Sequence, residues 1–275
     1  LNNVGECTLT IINSTFENNI AAIAGGAVYS DKSSKTTISN SEFMGNEAQL
    51  GGAVYALKDL TVNENTIFNH NTAELGGAIY VAAKYDDANL VVKDATFTNN
   101  FVTDGGAAIA IKGDGKVATY DISDSTFDKN TMNDVNNPPG AGGAIYAVGD
   151  NAGSTVGTIT NNVFTNNSAS SDGLANGGAI KLEFASAAII KDCTFEDNWA
   201  TVSGGAIDLQ ANTGMNPEAT IVNSTFKNNK AQAGAAIASL NNVGEGTLTI
   251  INSTFENNIA AIAGGAVYSD KLSKT

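Results

Sequence analysis

Thr8-Leu9-Thr10-Ile11-Ile12-Asn13-Ser14-Thr15-Phe16-Glu17-Asn18-Asn19, followed shortly by Gly25-Gly26-Ala27-Val28-Tyr29, is the wording on which the fold of this 275-residue chain turns. A β-branched run leads into an Asn turn, a Phe with an Asn three residues later, then a glycine pair and an aliphatic residue. The pattern recurs along the whole chain. Phe stands at Phe16, Phe43, Phe68, Phe97, Phe127, Phe164, Phe195, Phe226 and Phe255, each followed by Asn19, Asn46, Asn71, Asn100, Asn130, Asn167, Asn198, Asn229 and Asn258. Beyond each comes Gly-Gly-Ala or Gly-Ala-Ala and then Val or Ile, from Val28 and Val54 to Ile237 and Val267. Spacings of 25 to 37 residues between successive phenylalanines mark a repeat architecture.

The residue types within a copy say which architecture. Runs such as Leu90-Val91-Val92, Ile189-Ile190 and Thr220-Ile221-Val222 read as strands, and no stretch keeps a helical spacing. The position three before each Phe is always Asn or Asp, a turn residue whose short side chain bonds nearby backbone. One repeat therefore reads as strand, turn, short Phe-bearing strand, Asn turn, small-residue corner, Gly-Gly and strand. Equal strands at a near-constant period stack on their equivalents at about 4.8 Å per coil. The expected fold is all-β: a single-stranded parallel β-helix, or β-solenoid, of about 30 residues per coil and roughly nine coils.

Two ladders follow from the repeat. Phe at one place in every coil forms an internal column, each ring burying about 150 Å² or more. Asn repeated coil upon coil forms an amide ladder. The glycines serve a tight corner where backbone meets backbone. Period-2 logic points the Val/Ile after them inward and the next site outward, so that Tyr29, Tyr55, Tyr80, Tyr146, Lys181, Asp208 and Tyr268 line an outer face.

A longer period lies over the short one. Residues 1–36 return as 240–275 with only Cys7→Gly246 and Ser33→Leu272 changed, an offset of 239 residues. Residues 1–239 are thus one eight-coil unit, and 240–275 the start of the next. The expectation is a window on a longer tandem protein, a stiff rod advancing about 38 Å per unit.

Composition narrows the function. Fourteen cationic residues, all lysine, stand against 28 acidic ones; the net charge of −14 argues against nucleic acid and anionic membranes as partners. No apolar run approaches the roughly 20 residues of a membrane span in this window. Cys7 and Cys193 are six coils apart, nearly 30 Å at the solenoid spacing, and do not pair within one straight rod. Cys193 takes a slot filled elsewhere by Ser14, Ser41 and Ser125 and reads as a buried free thiol, with pairing between chains as the alternative.

Candidate sites are sparse. His70 takes a turn position that other coils give to Asn18, Asn99, Asn166 or Lys129, and reads as an exposed turn residue. Asp208 and Glu183 near Lys181 form the best carboxylate group, read as a solvated face. The Phe-to-Gly distance, usually under ten residues, grows to fifteen after Phe127 and thirteen after Phe164. Asn136, Asn137, Pro138, Pro139 and Asp172 in these insertions form a candidate binding loop, since loops on a rigid scaffold carry recognition. A second set of lengthened turns, Ala82 to Asn89, Gly113 to Ala118, Gly149 to Gly157 and Ala211 to Glu218, follows the Gly-Gly strands. No cofactor is called for; Asp134, Asp150 and Asp172 offer oxygen ligands for Ca²⁺ without a regular ligand spacing. Asn13, Asn166, Asn223 and Asn252 head N-x-Ser/Thr sequons. Asn166 is the candidate glycosylation site, the other three being expected to be inaccessible in the turn ladder. Outward Thr pairs such as Thr8/Thr10 and Thr158/Thr160 do not continue from coil to coil, as an ice-binding array requires.

The paired FxxN and GGA(I/V) motifs, over the full length, resemble the repeats of chlamydial polymorphic outer membrane proteins and of adhesin-like proteins of methanogenic archaea; the INSTFENN and GGAVY wording in an arginine-free chain is closer to the second. The resemblance implies a right-handed, surface-displayed or secreted β-helix with an adhesive or structural role and no catalytic residues. Right-handedness also follows the rule for parallel connections. Gly106-Ala107 and Gly234-Ala235 depart from the Gly-Gly form. The resulting expectation is a non-enzymatic extracellular fibre, stalk or coat. Its partners are further copies of itself, end to end or side by side, and glycans or proteins of host or partner cells. The alternative is a β-helix that binds or cleaves polysaccharide.

Overall fold

In the computed structural model, described for residues 5–134, 141–171, 175–241 and 246–270, the chain winds as a parallel β-solenoid. Each coil contributes one strand to each of several sheets, and each strand pairs in parallel with its equivalent one coil on. The first sheet has nine strands, from Cys7–Ile12 and Ser34–Ser39 to Thr247–Ile251. The second carries the phenylalanines, from Thr15–Glu17 to Thr254–Glu256. Another nine-stranded sheet follows the glycine pairs, from Val28–Ser30 to Val267–Ser269.

Between the Phe sheet and the post-glycine sheet lies a further sheet that the sequence reading had as a small-residue corner. Seven strands form it, among them Thr72–Leu75, Phe101–Gly105, Ser168–Ser171 and Ile259–Ala263. Its inward positions are Ala73, Val102, Met132, Ala169 and Ala200, all buried. Alanine is a poor strand former, so a strand built on it is hidden from propensity.

The lumen is occupied as expected. Phe rings of successive coils stack face to face at 4.7 to 4.9 Å between centroids, with planes within 12° of parallel. Beside them runs the amide ladder. Asn100 is buried; its Nδ2 donates to Phe68 O of the coil before (3.1 Å) and to Asn130 Oδ1 of the coil after (2.9 Å). Its backbone N–H donates to the same Asn130 oxygen at 3.2 Å. Asn130, Asn167 and Asn198 repeat the arrangement, so each amide joins three coils.

The turns take the residues their backbone requires. All nine Asn or Asp residues three before Phe have positive φ, between 43° and 58°. So do the non-glycine residues two after it, His70 (φ 56°) and Lys129 (φ 53°) included. Asn and Asp tolerate this left-handed conformation better than most side chains. At the glycine pair, the first Gly is left-handed, as at Gly142 with φ 65°. The second is held by crowding: a Cβ on Gly143 would lie 2.1 Å from Gly178 O and 2.5 Å from Ser168 O, both backbone. Phe127→Ala leaves a ring-sized gap between two stacked rings and is expected to cost about 3–5 kcal/mol in denaturant unfolding. Phe127→Leu should lose markedly less.

Candidate functional site

The outer side of the post-glycine sheet is not the solvated face that alternation suggests. Tyr55 and Tyr80 are buried, with Leu50 and Leu75 packed against their cluster from the strand ends just before the glycine pairs. The small corner lets the chain fold back over this face, so the row pointing away from the lumen enters a second thin layer. Tyr55 and Tyr80 stack there at 5.4 Å, while Tyr29, stacked on Tyr55 at 5.3 Å, stays 54 % exposed, as its outward position suggests.

In the sixth and seventh coils the tyrosine row gives way to charge. Strands Ile145–Val148, Ile180–Glu183 and Ile207–Ala211 set Tyr146, Lys181 and Asp208 in direct register. Lys181 and Asp208 are both 0 % exposed and Glu183 is 6 % exposed, so the carboxylate group read as solvated is in fact enclosed. Lys181 Nζ lies 3.8 Å from Glu183 Oε1 and has no hydrogen-bond partner. Tyr146 donates its hydroxyl to Glu183 Oε2 in a short bond, and burial first, then that carboxylate, holds the Tyr146 phenol well above its ordinary range. Asp208 Oδ1 lies 2.7 Å from Ser203 Oγ, which in turn sits 2.9 Å from Asn176 Oδ1; Oδ2 is unpartnered. Burial pushes the Asp208 carboxyl up to about 6, against the opposing pull of Lys181 and Ser203.

Next to this row opens a cleft of about 410 Å³, lined by Tyr146, Phe184, Met215, Val148 and Lys112 among others. The lengthened turns 149–157 and 211–218 supply part of its wall. Asp150 shapes the first of these: Oδ1 accepts the N–H groups of Ala152 and Gly153, and Oδ2 that of Gly115 in the coil before. Lys112 leans towards Asp114 at 3.5 Å. Phe184 is half-buried and left-handed, φ 58°, a conformation costly for a bulky aromatic. Nothing in Glu183-Phe184-Ala185 announces such a turn, since neither Gly nor Asn stands there. An aromatic ring, a phenol and a lysine around a concave apolar floor suit a ligand with both C–H faces and polar groups.

The other sequence-derived candidates lie apart. Asn136, Asn137, Pro138, Pro139 and Asp172 fall outside the described residues. Asn166 is exposed and left-handed, its Nδ2 donating to Asp128 Oδ1 at 2.9 Å. Asn13, Asn223 and Asn252, expected to be inaccessible, are exposed as well, because the left-handed turn throws their side chains outward. His70 is an exposed turn residue, as its position suggested. Among the described residues no group of three or more His, Cys, Asp or Glu is placed to hold a metal. Cys7 is exposed and Cys193 buried, both unpaired. Cys193 Sγ lies 3.2 Å from Lys191 O and 3.4 Å from Ile159 O, and burial pushes its thiol up to about 11.

A family model described as right handed beta helix region matches residues 3–118 and 105–271. The chain belongs to that family, a class defined by the coil and not by one chemistry. No curated protein and no solved structure matches it.

The two thiols should separate in a thiol-titration assay. The raised Cys193 value suppresses thiolate throughout neutral pH and up to about 11. At pH 8 the native protein is therefore expected to show one reactive thiol, Cys7, and two in denaturant. Phe184→Asn replaces a strained aromatic with a residue suited to the left-handed turn, and should leave stability unchanged or raise it by about 1 kcal/mol in thermal unfolding.

Proposed function

We propose that this chain is part of a long, non-enzymatic, extracellular β-helical rod that builds a cell-surface fibre, stalk or coat and adheres to glycans or partner cells. The carrying observation is the return of residues 1–36 as 240–275, whose described strands prolong three of the four sheets in register and the fourth with one bulge between Ala231 and Ala233. Thr247–Ile251 pairs onto Glu218–Val222, and Phe255 stacks on Phe226 at 4.9 Å, as the coils before them do. Duplication of the unit therefore lengthens the rod and leaves its cross-section unchanged. A net charge of −14 keeps such rods soluble and apart. The wording shared with the adhesin-like repeats supports a surface location.

Burial of Asp208 and Glu183 supports the non-enzymatic reading, since a polymeric substrate does not reach them. The chain also lacks the arginine with which β-helix enzymes commonly hold acidic sugars. The cleft beside Tyr146 and Phe184 favours saccharide binding within the same role, and among the described residues it is the feature that favours a polysaccharide-acting protein instead.

Immunogold electron microscopy of producing cells and shed material, with antibody against the purified chain, is expected to label surface fibres or a sheath. Label confined to the cell interior contradicts the proposal. In parallel, neutral and acidic polysaccharides incubated with the purified protein should be bound or ignored without release of new reducing ends or unsaturated products. Product release would move the protein to the enzyme class.

A further inference from the structure

We propose that Lys181 and Asp208 join through an intramolecular amide bond, formed autocatalytically with Glu183 as the proton carrier, which staples the sixth coil to the seventh. The two residues are direct register partners on adjacent parallel strands, with backbones about 4.8 Å apart and side chains on the same face. Both are fully buried, and each keeps a polar atom without a hydrogen-bond partner: Lys181 Nζ, whose ion pair with Glu183 is 3.8 Å long, and Asp208 Oδ2. Leaving two such groups unsatisfied inside a protein is costly. An amide between them removes both charges. The four-carbon stem of lysine has the freedom to turn its nitrogen from Glu183 towards the Asp208 carboxyl carbon.

The neighbours suit the reaction. Ser203 has one hydroxyl hydrogen and two oxygens within reach, Asn176 Oδ1 at 2.9 Å and Asp208 Oδ1 at 2.7 Å. A proton on Asp208, donated to Ser203 Oγ while Ser203 donates to Asn176, satisfies all three. Burial pushes the Asp208 carboxyl up to about 6 and so raises the share of neutral acid, which is the form an amine attacks with loss of water. Glu183 faces Lys181 with Oε1 at 3.8 Å, while Tyr146 fixes its other oxygen.

The step balances without any outside reactant. Glu183 takes one proton from the Lys181 ammonium, freeing the nitrogen lone pair to form the N–C bond at Asp208 Cγ. It returns that proton to the departing hydroxyl, the C–O bond breaks and water leaves. A second proton from nitrogen ends on Glu183, and the third remains as the amide N–H. The positive charge of lysine and the negative charge of Glu183 disappear together. The new link runs along the rod axis and resists coil separation, whether or not the rod serves at a cell surface.

The wild-type chain, purified and folded by circular dichroism, is expected to have an intact mass about 18 Da, one water, below its sequence mass. Digestion with a lysine-specific protease should leave Lys181 uncleaved and give a branched peptide containing Lys181 and Asp208. Lys181→Met, Asp208→Ala and Glu183→Gln should each return to the mass of their own sequence. Glu183→Gln keeps the side-chain shape, so it separates loss of the proton carrier from loss of the fold. A folded wild type at full sequence mass, with cleavage after Lys181, overturns the proposal. A loss of water without the branched peptide also overturns it, since a local ring closure at an aspartate gives the same mass.

Discussion

Everything in this rod depends on an amide that must be satisfied where no water reaches. From Asn46 to Asn229 the Asn side chain after each Phe is buried, with two N–H donors and an oxygen to place, and it places them across three coils. A coil shifted by one residue along its neighbour would strand these groups inside the lumen. The ladder therefore sets register as well as cohesion, and the Phe column, which packs well at many small offsets, inherits its alignment from it. With register fixed, every other row follows: left-handed turns above one another, glycines where carbonyls crowd, aliphatics inward.

That chemistry explains how much could be read from sequence alone. Phe, Asn and left-handed Gly each meet a demand that few other residues meet, so they recur without exception and reveal the coil. The strand from Thr72 to Leu75 and its equivalents were missed because their inward sites ask only for smallness, which many residues supply. Alternation correctly sent Lys181, Asp208 and the tyrosines away from the lumen. It carries no information about what lies over them, and at Tyr55, Tyr80, Lys181 and Asp208 the supposed solvent face is buried. The cleft was illegible for a related reason: it depends on Phe184 holding a left-handed turn without a residue that favours one.

The candidate site lies where the repeat is least regular. The ladder-bearing sheets are uniform from coil to coil, and uniform surfaces suit assembly more than discrimination. Irregularity appears along the ridge formed by the turns after the post-glycine strands, where Asp150 braces one loop against its neighbour and Met215 closes a wall. The buried charges lie beneath that same ridge. A regular stack thus carries one local, asymmetric region among the described coils, and the tandem duplication proposed above would repeat it at about 38 Å along the rod.

The ladder's control of the stack is tested most directly by peptide-resolved hydrogen exchange on Asn130→Leu, a change of similar volume that deletes the acceptor for Asn100 and the donors to Phe97 and Asn167. Protection is expected to collapse in the coils around Phe97, Phe127 and Phe164, and to persist towards both ends. Exchange indistinguishable from wild type in those coils would show that packing alone sets the register, and would contradict it.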